Sequence, residues 1–169
     1  MIIIGLDPGP EKSALVGIST ADGFPIIDSY QILPNEDAIV FLERDEIWHH
    51  LVIEKIESMG MAVGRSTFDT VFFTGRLYQA LIGNFKDSIS FISRREVKLH
   101  LCNSMRAKDA NIRQVLIDRF PATGGGKVSQ IGTKKQPGEL YGIKADMWAA
   151  LAVAITWYEK HSPDNAQTL

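Results

Sequence analysis

Three acidic residues stand where a soluble chain could use them for chemistry. Asp7 follows the β-branched run Ile2-Ile3-Ile4 and precedes Pro8-Gly9. That run suits a buried strand, and Pro8, with fixed φ and no N–H, must end it, while Gly9 is free to take positive φ. Glu54 closes a second apolar run, Leu51-Val52-Ile53. Asp146 opens the small-residue helix expected over 145–160. Strand ends and a helix start are where an α/β sheet gathers a site. Each acid also has an ordinary reading: a turn hydrogen bond for Asp7, solvation for Glu54, a helix cap for Asp146. Their joint placement favours a shared site. Clustered carboxylates repel and partly protonate unless a cation neutralises them. Hard oxygen donors without a His or Cys pattern suit Mg²⁺, with Mn²⁺ as a substitute. Two such ions about 4 Å apart would activate a water and stabilise the leaving oxygen in phosphodiester hydrolysis.

The elements that must position these acids can be read in order. Residues 13–19 form a second strand, Asp22-Gly23 signals a hairpin, and residues 24–32 form a third, giving a three-strand antiparallel meander. Pro34-Asn35-Glu36-Asp37 opens a short helix over 38–42. The strand over 48–54, reached through that helix, should run parallel to the first and bring Glu54 to the edge that carries Asp7. A loop over 58–64 leads to a long helix over 66–82. Phe68, Val71, Phe72 and Tyr78 fall on one side of it, and Phe73, Leu77 and Leu81 on another. A helix apolar on two sides is buried on two sides, either by its own domain alone or by the domain plus a partner subunit. Residues 88–92 form a fifth strand, and helices follow over 96–101 and 109–120. The tract 121–142 is a long loop. It is no nucleotide-binding P-loop, because Val128 stands where Ser or Thr must follow the Lys. One domain over 1–161 and a polar, frayed tail over 162–169 complete the reading.

Composition excludes several classes. The 169 residues are 45% hydrophobic and 22% charged, with a net charge of −2. No apolar run reaches the length of about 20 residues needed for a membrane span. The single Cys102 makes no internal disulfide, and with only His100 nearby it makes no zinc site. The expectation is a reducing, cytoplasmic setting, without a secretion signal. His49 and His50, adjacent at a strand start, read as structural. Basic residues concentrate locally. From Arg94 to Arg119 seven (Arg94, Arg95, Lys98, Arg106, Lys108, Arg113, Arg119) face three acids, and Lys127, Lys134, Lys135 and Lys144 follow. A solvated helix face accounts for most such runs, but phosphate contacts would use them too.

The segments Ile3-Ile4-Gly5-Leu6-Asp7-Pro8-Gly9, Val52-Ile53-Glu54, Arg95-Glu96-Val97-Lys98 and Ala145-Asp146-Met147-Trp148-Ala149-Ala150-Leu151-Ala152-Val153-Ala154 resemble, in order, the motifs of RuvC-type Holliday-junction resolvases. Met59-Gly60-Met61-Ala62-Val63-Gly64 and Gly75-Arg76 are similar to stretches of the phage-encoded branch. The resemblance spans roughly residues 1–160. It implies an RNase H-like α/β fold, with a mixed five-stranded sheet flanked by helices. It also implies a homodimer, here through the 66–82 helix, and Mg²⁺-dependent nicking of four-way DNA junctions in recombination and repair. Asp7, Glu54 and Asp146 would be the catalytic metal ligands. Lys98 matches a position near the DNA, with Arg95, Arg106, Lys108, Lys134 and Lys135 as further contacts. Met59, Met61 and Phe68 could wedge into an open junction, although such residues are more often core.

One departure matters. The position three residues before the last Asp, where the family carries a fourth ligand, is Ile143. Three carboxylates must then suffice, or Glu57 or Glu139 must substitute, or activity is weakened or lost. The rival readings are a junction-binding protein that does not cut and a nuclease of the same fold acting on other DNA or RNA structures. An actin-like nucleotide-binding fragment ranks last, because a second phosphate-binding Gly motif and a second lobe are missing.

Overall fold

The computed structural model describes residues 1–20, 24–44, 48–58, 60 and 62–162. Its sheet has five strands in the order β3-β2-β1-β4-β5. These are β1 (Ile2–Asp7), β2 (Lys12–Ser19), β3 (Ile26–Pro34), β4 (His50–Lys55) and β5 (Ile89–Ser93). β1, β2 and β3 pair antiparallel, whereas β4 and β5 extend the sheet in parallel from β1. The expected meander and crossover are both present. The Asp22-Gly23 hairpin signal and the tail beyond residue 162 lie outside the described residues.

Alternation along the strands sorts two cores. Ile4, Leu6, Leu51 and Ile53 face α1 (Asn35–Leu42) and α2 (Arg65–Phe85), where Leu42, Phe73, Leu77 and Leu81 are buried. Ile3, Val52 and Ile92 face α3 (Arg94–Cys102), α4 (Asp109–Arg119) and α5 (Met147–His161). Because side chains alternate with a period of two, Asp7 shares the face of Ile3 and Gly5, and Glu54 shares the face of Val52. Both acids therefore look toward α5.

α5 reaches that face because small residues line it. Ala150, Ala152 and Ala154 are wholly buried. At Gly5 a methyl group would lie 2.0 Å from the Ala150 carbonyl oxygen and 2.9 Å from the Ala154 methyl. Strand and helix backbones thus approach more closely than any side chain at position 5 allows. Leu151, Val153 and Ile155 are fully buried, each stabilising by roughly 1.5–3 kcal/mol relative to exposure.

Two loop expectations are revised. Gly9 does not use positive φ. Its requirement is space, because a methyl there would lie 2.3 Å from the Lys12 carbonyl oxygen. The 121–142 tract has no helix and only an isolated Gly132–Pro137 bridge, but its backbone is internally hydrogen-bonded. Gly124 N–H donates to Ser129 O, Gly125 N–H to Gln136 O, and Leu140 N–H to Gln130 O. A loop that satisfies its own backbone this way holds its shape without regular structure.

Candidate active site at the sheet edge

Asp7 and Glu54 end adjacent parallel strands in register, with Leu6 opposite Ile53 one residue earlier. The turn after Asp7 is tied from α1. Asn35, buried at the start of that helix, donates from Nδ2 to the Gly9 carbonyl at 3.1 Å and accepts from Ser13 Oγ at 2.8 Å. In the sequence Asn35 is only part of a helix-start signature, and its residue type does not reveal this role.

The two carboxyl groups lie within hydrogen-bonding reach of each other, and the electrostatics favour the proton on Asp7. Burial, then the charges of Glu54 and Asp146, push Asp7 up to about 8. Burial likewise raises Glu54, against the pull of Arg94. Asp146 immediately precedes α5, with helical φ −68° and ψ −11°, and its side chain makes no capping hydrogen bond. The capping alternative is not realised, and the Asp146 carboxylate is exposed and felt by Asp7. Directly before it, Ala145 has φ +46°. A non-glycine residue in the left-handed region costs about 1 kcal/mol. The chain accepts that cost at the turn that presents Asp146.

Arg94 and Asp109 complete the group, and the sequence reading gave neither a place there. β5 pairs with β4 so that Ser93 stands opposite Lys55, and Ser93 caps α3 through a reciprocal bond with Glu96. Arg94, the first residue of α3, is thereby set beside Glu54. Its Nη1 lies 3.7 Å from Glu54 Oε2, and its Nη2 donates to Asp109 Oδ1 at 2.5 Å. Nη1 is buried and has no hydrogen-bond partner.

The fourth corner is closed. Ile143 is 5% exposed and packs in the core beside Met147. Glu57 is exposed and pairs with Lys55 at 2.9 Å. Neither Glu57 nor Glu139 figures among the groups that perturb Asp7 and Glu54. Among the described residues, no three carboxylate, imidazole or thiolate groups stand ready to chelate an ion. The donor chemistry nevertheless fits a divalent cation. A half-buried and a buried carboxyl side by side repel each other when both are ionised, and a hard cation would relieve that cost.

The basic run divides. Arg113 lies over the Trp148 ring at 4.7 Å, and Arg119 binds Glu159 through two nitrogens. Those two, with Arg94, serve the fold or the acid cluster. Arg95, Arg106, Lys108, Lys134 and Lys135 are exposed and Lys98 is half-buried. None of these six joins an ion pair among the described residues. They sit on α3, at the start of α4 and on the 121–142 loop, the segments that also carry Arg94, Asp109 and the approach to Asp146.

His49 and His50 are structural, as expected. His49 Nδ1 accepts from Ile2 N–H at 3.1 Å, whereas His50 stacks on Trp157 at 3.9 Å and meets Ser90 Oγ at 2.9 Å. His100 pairs with Glu159. Met59 and Met61 lie outside the described residues, and Phe68 is 62% exposed.

The fold is the RNase H-like fold in the arrangement of RuvC-type resolvases. Solved structures similar to this chain include Thermus thermophilus RuvC, at TM-score 0.62 and 14% identity, covering 95% of this chain and 96% of that one. T. thermophilus RuvC in complex with a Holliday junction substrate aligns at TM-score 0.63 and 14% identity over 92% of both chains. The yeast mitochondrial Holliday junction resolvase Ydc2 aligns at 0.62 and 11% identity, covering 92% of this chain and 78% of that one. No protein-family model matches the sequence, and no curated protein does.

Proposed function

We propose that this protein is a divalent-metal-dependent endonuclease that cuts branched DNA, with the four-way junction as its substrate. The observation that carries the reading is the half-buried Asp7 set beside the buried Glu54, with Asp146 close enough to perturb Asp7, at the edge of a sheet whose fold is that of junction resolvases. Asp7, Glu54 and Asp146 would hold Mg²⁺ or Mn²⁺, which when bound would supply charge neutralisation and activation of a water for phosphodiester hydrolysis. The protein's own part is to fix the carboxylate oxygens. The β1 turn, braced by Asn35, holds Asp7, and the register of β4 holds Glu54. The left-handed Ala145 presents Asp146. Arg95, Lys98, Arg106, Lys108, Lys134 and Lys135 are assigned to phosphates, which makes binding fall steeply with salt.

The exposed face of α2 supports a homodimer. Phe68, Val71 and Phe72 are 62%, 49% and 71% exposed, and nothing lies within 4 Å of where a Gly75 side chain would start. A second copy packed there would bury these side chains against a backbone free of side-chain bulk. A monomer in light scattering at micromolar concentration would refute it.

A second reading, junction binding without cleavage, is favoured by the buried Ile143 and by the cation already set against Glu54. The deciding experiment incubates labelled four-way junction, flap, duplex and RNA–DNA hybrid with the protein in Mg²⁺ and in Mn²⁺. The nuclease reading expects junction cleavage that is lost in Asp7→Asn, with junction binding retained. Binding without cutting in either metal overturns it in favour of the second reading. Preference for another substrate keeps the nuclease and overturns the junction.

A further inference from the structure

We infer that Arg94 is a built-in counter-cation of the carboxylate site, and that a divalent ion can enter only as Arg94 withdraws toward Asp109. The inference rests on the metal-dependent reading above and adds a residue to which that reading assigns nothing. Three observations carry it. First, Arg94 Nη1 is buried and unpartnered at 3.7 Å from Glu54 Oε2, too far for a hydrogen bond yet inside ion-pair range. A buried donor left in that state is costly unless the charge it faces compensates. Second, the other arm of the guanidinium is anchored on Asp109, whose side chain is 83% exposed. The residue therefore spans from the buried carboxylate to solvent, with a resting place already built at the outer end. Third, the acids as they stand do not form a chelate. One positive charge beside Glu54 gives a sufficient reason, because a guanidinium and a divalent ion cannot both take the same oxygens.

The placement follows from backbone geometry. Ser93 ends β5 next to Glu54 and caps α3, so the first side chain of α3 is delivered to the strand-end carboxylate. Asp109 arrives in the first turn of α4. Arg94 thus connects the two helices that carry the exposed basic residues with the strand that carries Glu54. Its position links site occupancy to that surface.

Competition gives opposite signs at the two ends of the pair. Removing the guanidinium frees Glu54. Removing the Asp109 charge deprives Arg94 of its outer anchor and leaves it to the carboxylates. Mn²⁺ affinity is read by calorimetry on the full chain without DNA, for the parent and for Arg94→Met, Arg94→Lys, Asp109→Asn and Arg94→Met/Asp109→Asn. Far-UV circular dichroism confirms that each is folded. Arg94→Met should bind Mn²⁺ roughly tenfold more tightly, within the usual range of coupling between two sites. Arg94→Lys, with a compact charge and one binding point, should fall between Met and the parent. Asp109→Asn should bind more weakly, and the double variant should match Arg94→Met. An Arg94→Met affinity equal to or below that of the parent overturns the inference, and so does an Asp109→Asn effect that persists without Arg94. Should Arg94→Met be unfolded, Arg94→Lys decides: tighter binding than the parent supports displacement, and equal or weaker binding overturns it. If no folded variant binds Mn²⁺, the metal reading itself falls and the displacement with it. Mn²⁺ binding by the parent, abolished in Asp7→Asn but insensitive to Arg94, overturns the displacement alone.

Discussion

Asp7→Asn should stabilise the metal-free protein, and the gain should grow with pH. Asp7 is raised from an ordinary 3.8 to about 8. The folded chain therefore holds one proton that the unfolded chain has released across that window. Stability from a carboxyl raised in this way is fully present below about pH 4 and is lost as pH rises through about 8, at up to 1.4 kcal/mol per pH unit. Near pH 7 the accumulated loss is on the order of 4 kcal/mol, an upper bound because Glu54 shares the proton. Asparagine keeps the shape of a protonated Asp7 and can donate to the Glu54 carboxylate, so the hydrogen bond survives without the proton. Urea unfolding in chelator at about pH 5, 6, 7 and 8 checks the point. The difference between parent and variant is the readout, because groups that titrate in both proteins across this window, His50 among them, cancel in it. The variant should pull ahead with each step in pH. Mn²⁺ should then restore the parent and leave the variant unmoved. Parallel stability curves in the two proteins would show that Asp7 does not share a proton in the folded state, and would remove the physical reason for placing a cation there.

Other perturbations test the scaffold. His50 is pushed down to about 4, by burial first and by His161 second. Stability from its neutral form is present above about pH 6.5 and is lost as pH falls toward 4, so His50→Gln should flatten that acid limb by about 2–3 kcal/mol in urea unfolding. Gly5→Ala forces a methyl into the Ala150 carbonyl and should cost about 3 kcal/mol or more, or prevent folding altogether, as read by thermal melting. Ala145→Gly removes the left-handed penalty and should stabilise by up to about 1 kcal/mol, while loosening the turn before Asp146. An equal or lower melting temperature for that variant would mean that the penalty is already relieved in the native turn.

Much of the architecture was legible because hydrophobic pattern and turn residues agreed. Strand one had to stop at Pro8, the short helix had to return the chain in parallel, and the alanines of α5 had to lie close to a sheet. Those three facts alone bring Asp7, Glu54 and Asp146 to one edge. Boundaries shifted by up to three residues where no breaker stood, as at the end of α2, which runs on to Phe85. The 121–142 tract was legible as a loop but not as an ordered one. Its order comes from backbone hydrogen bonds between glycine-rich segments, which leave no periodic signal in the side chains. The two-faced apolar pattern of α2 divided except at Tyr78, which is half-buried with its ring 5.5 Å from that of Phe91. Phe73, Leu77 and Leu81 are buried in this chain, and Phe68, Val71 and Phe72 are left at its surface.

Arg94 marks where sequence reasoning stopped, and for a definite reason. In the sequence it is one of seven basic residues in a run, and charge counting assigns the whole run to one surface. Only the junction of β5 and α3 separates them. Ser93 caps the helix and so fixes the direction in which residue 94 leaves the sheet, and the β4–β5 register decides which carboxylate it meets. Position 143 invites the same error from the opposite side. A missing ligand prompts a search for a replacement acid, but the buried Ile143 shows that this corner is part of the core. What compensates the acids here is a cation. A site with three acids and an internal guanidinium carries less negative charge than one with four acids, so it should hold divalent ions less tightly. That makes metal affinity the property in which this chain should depart most from a four-carboxylate nuclease.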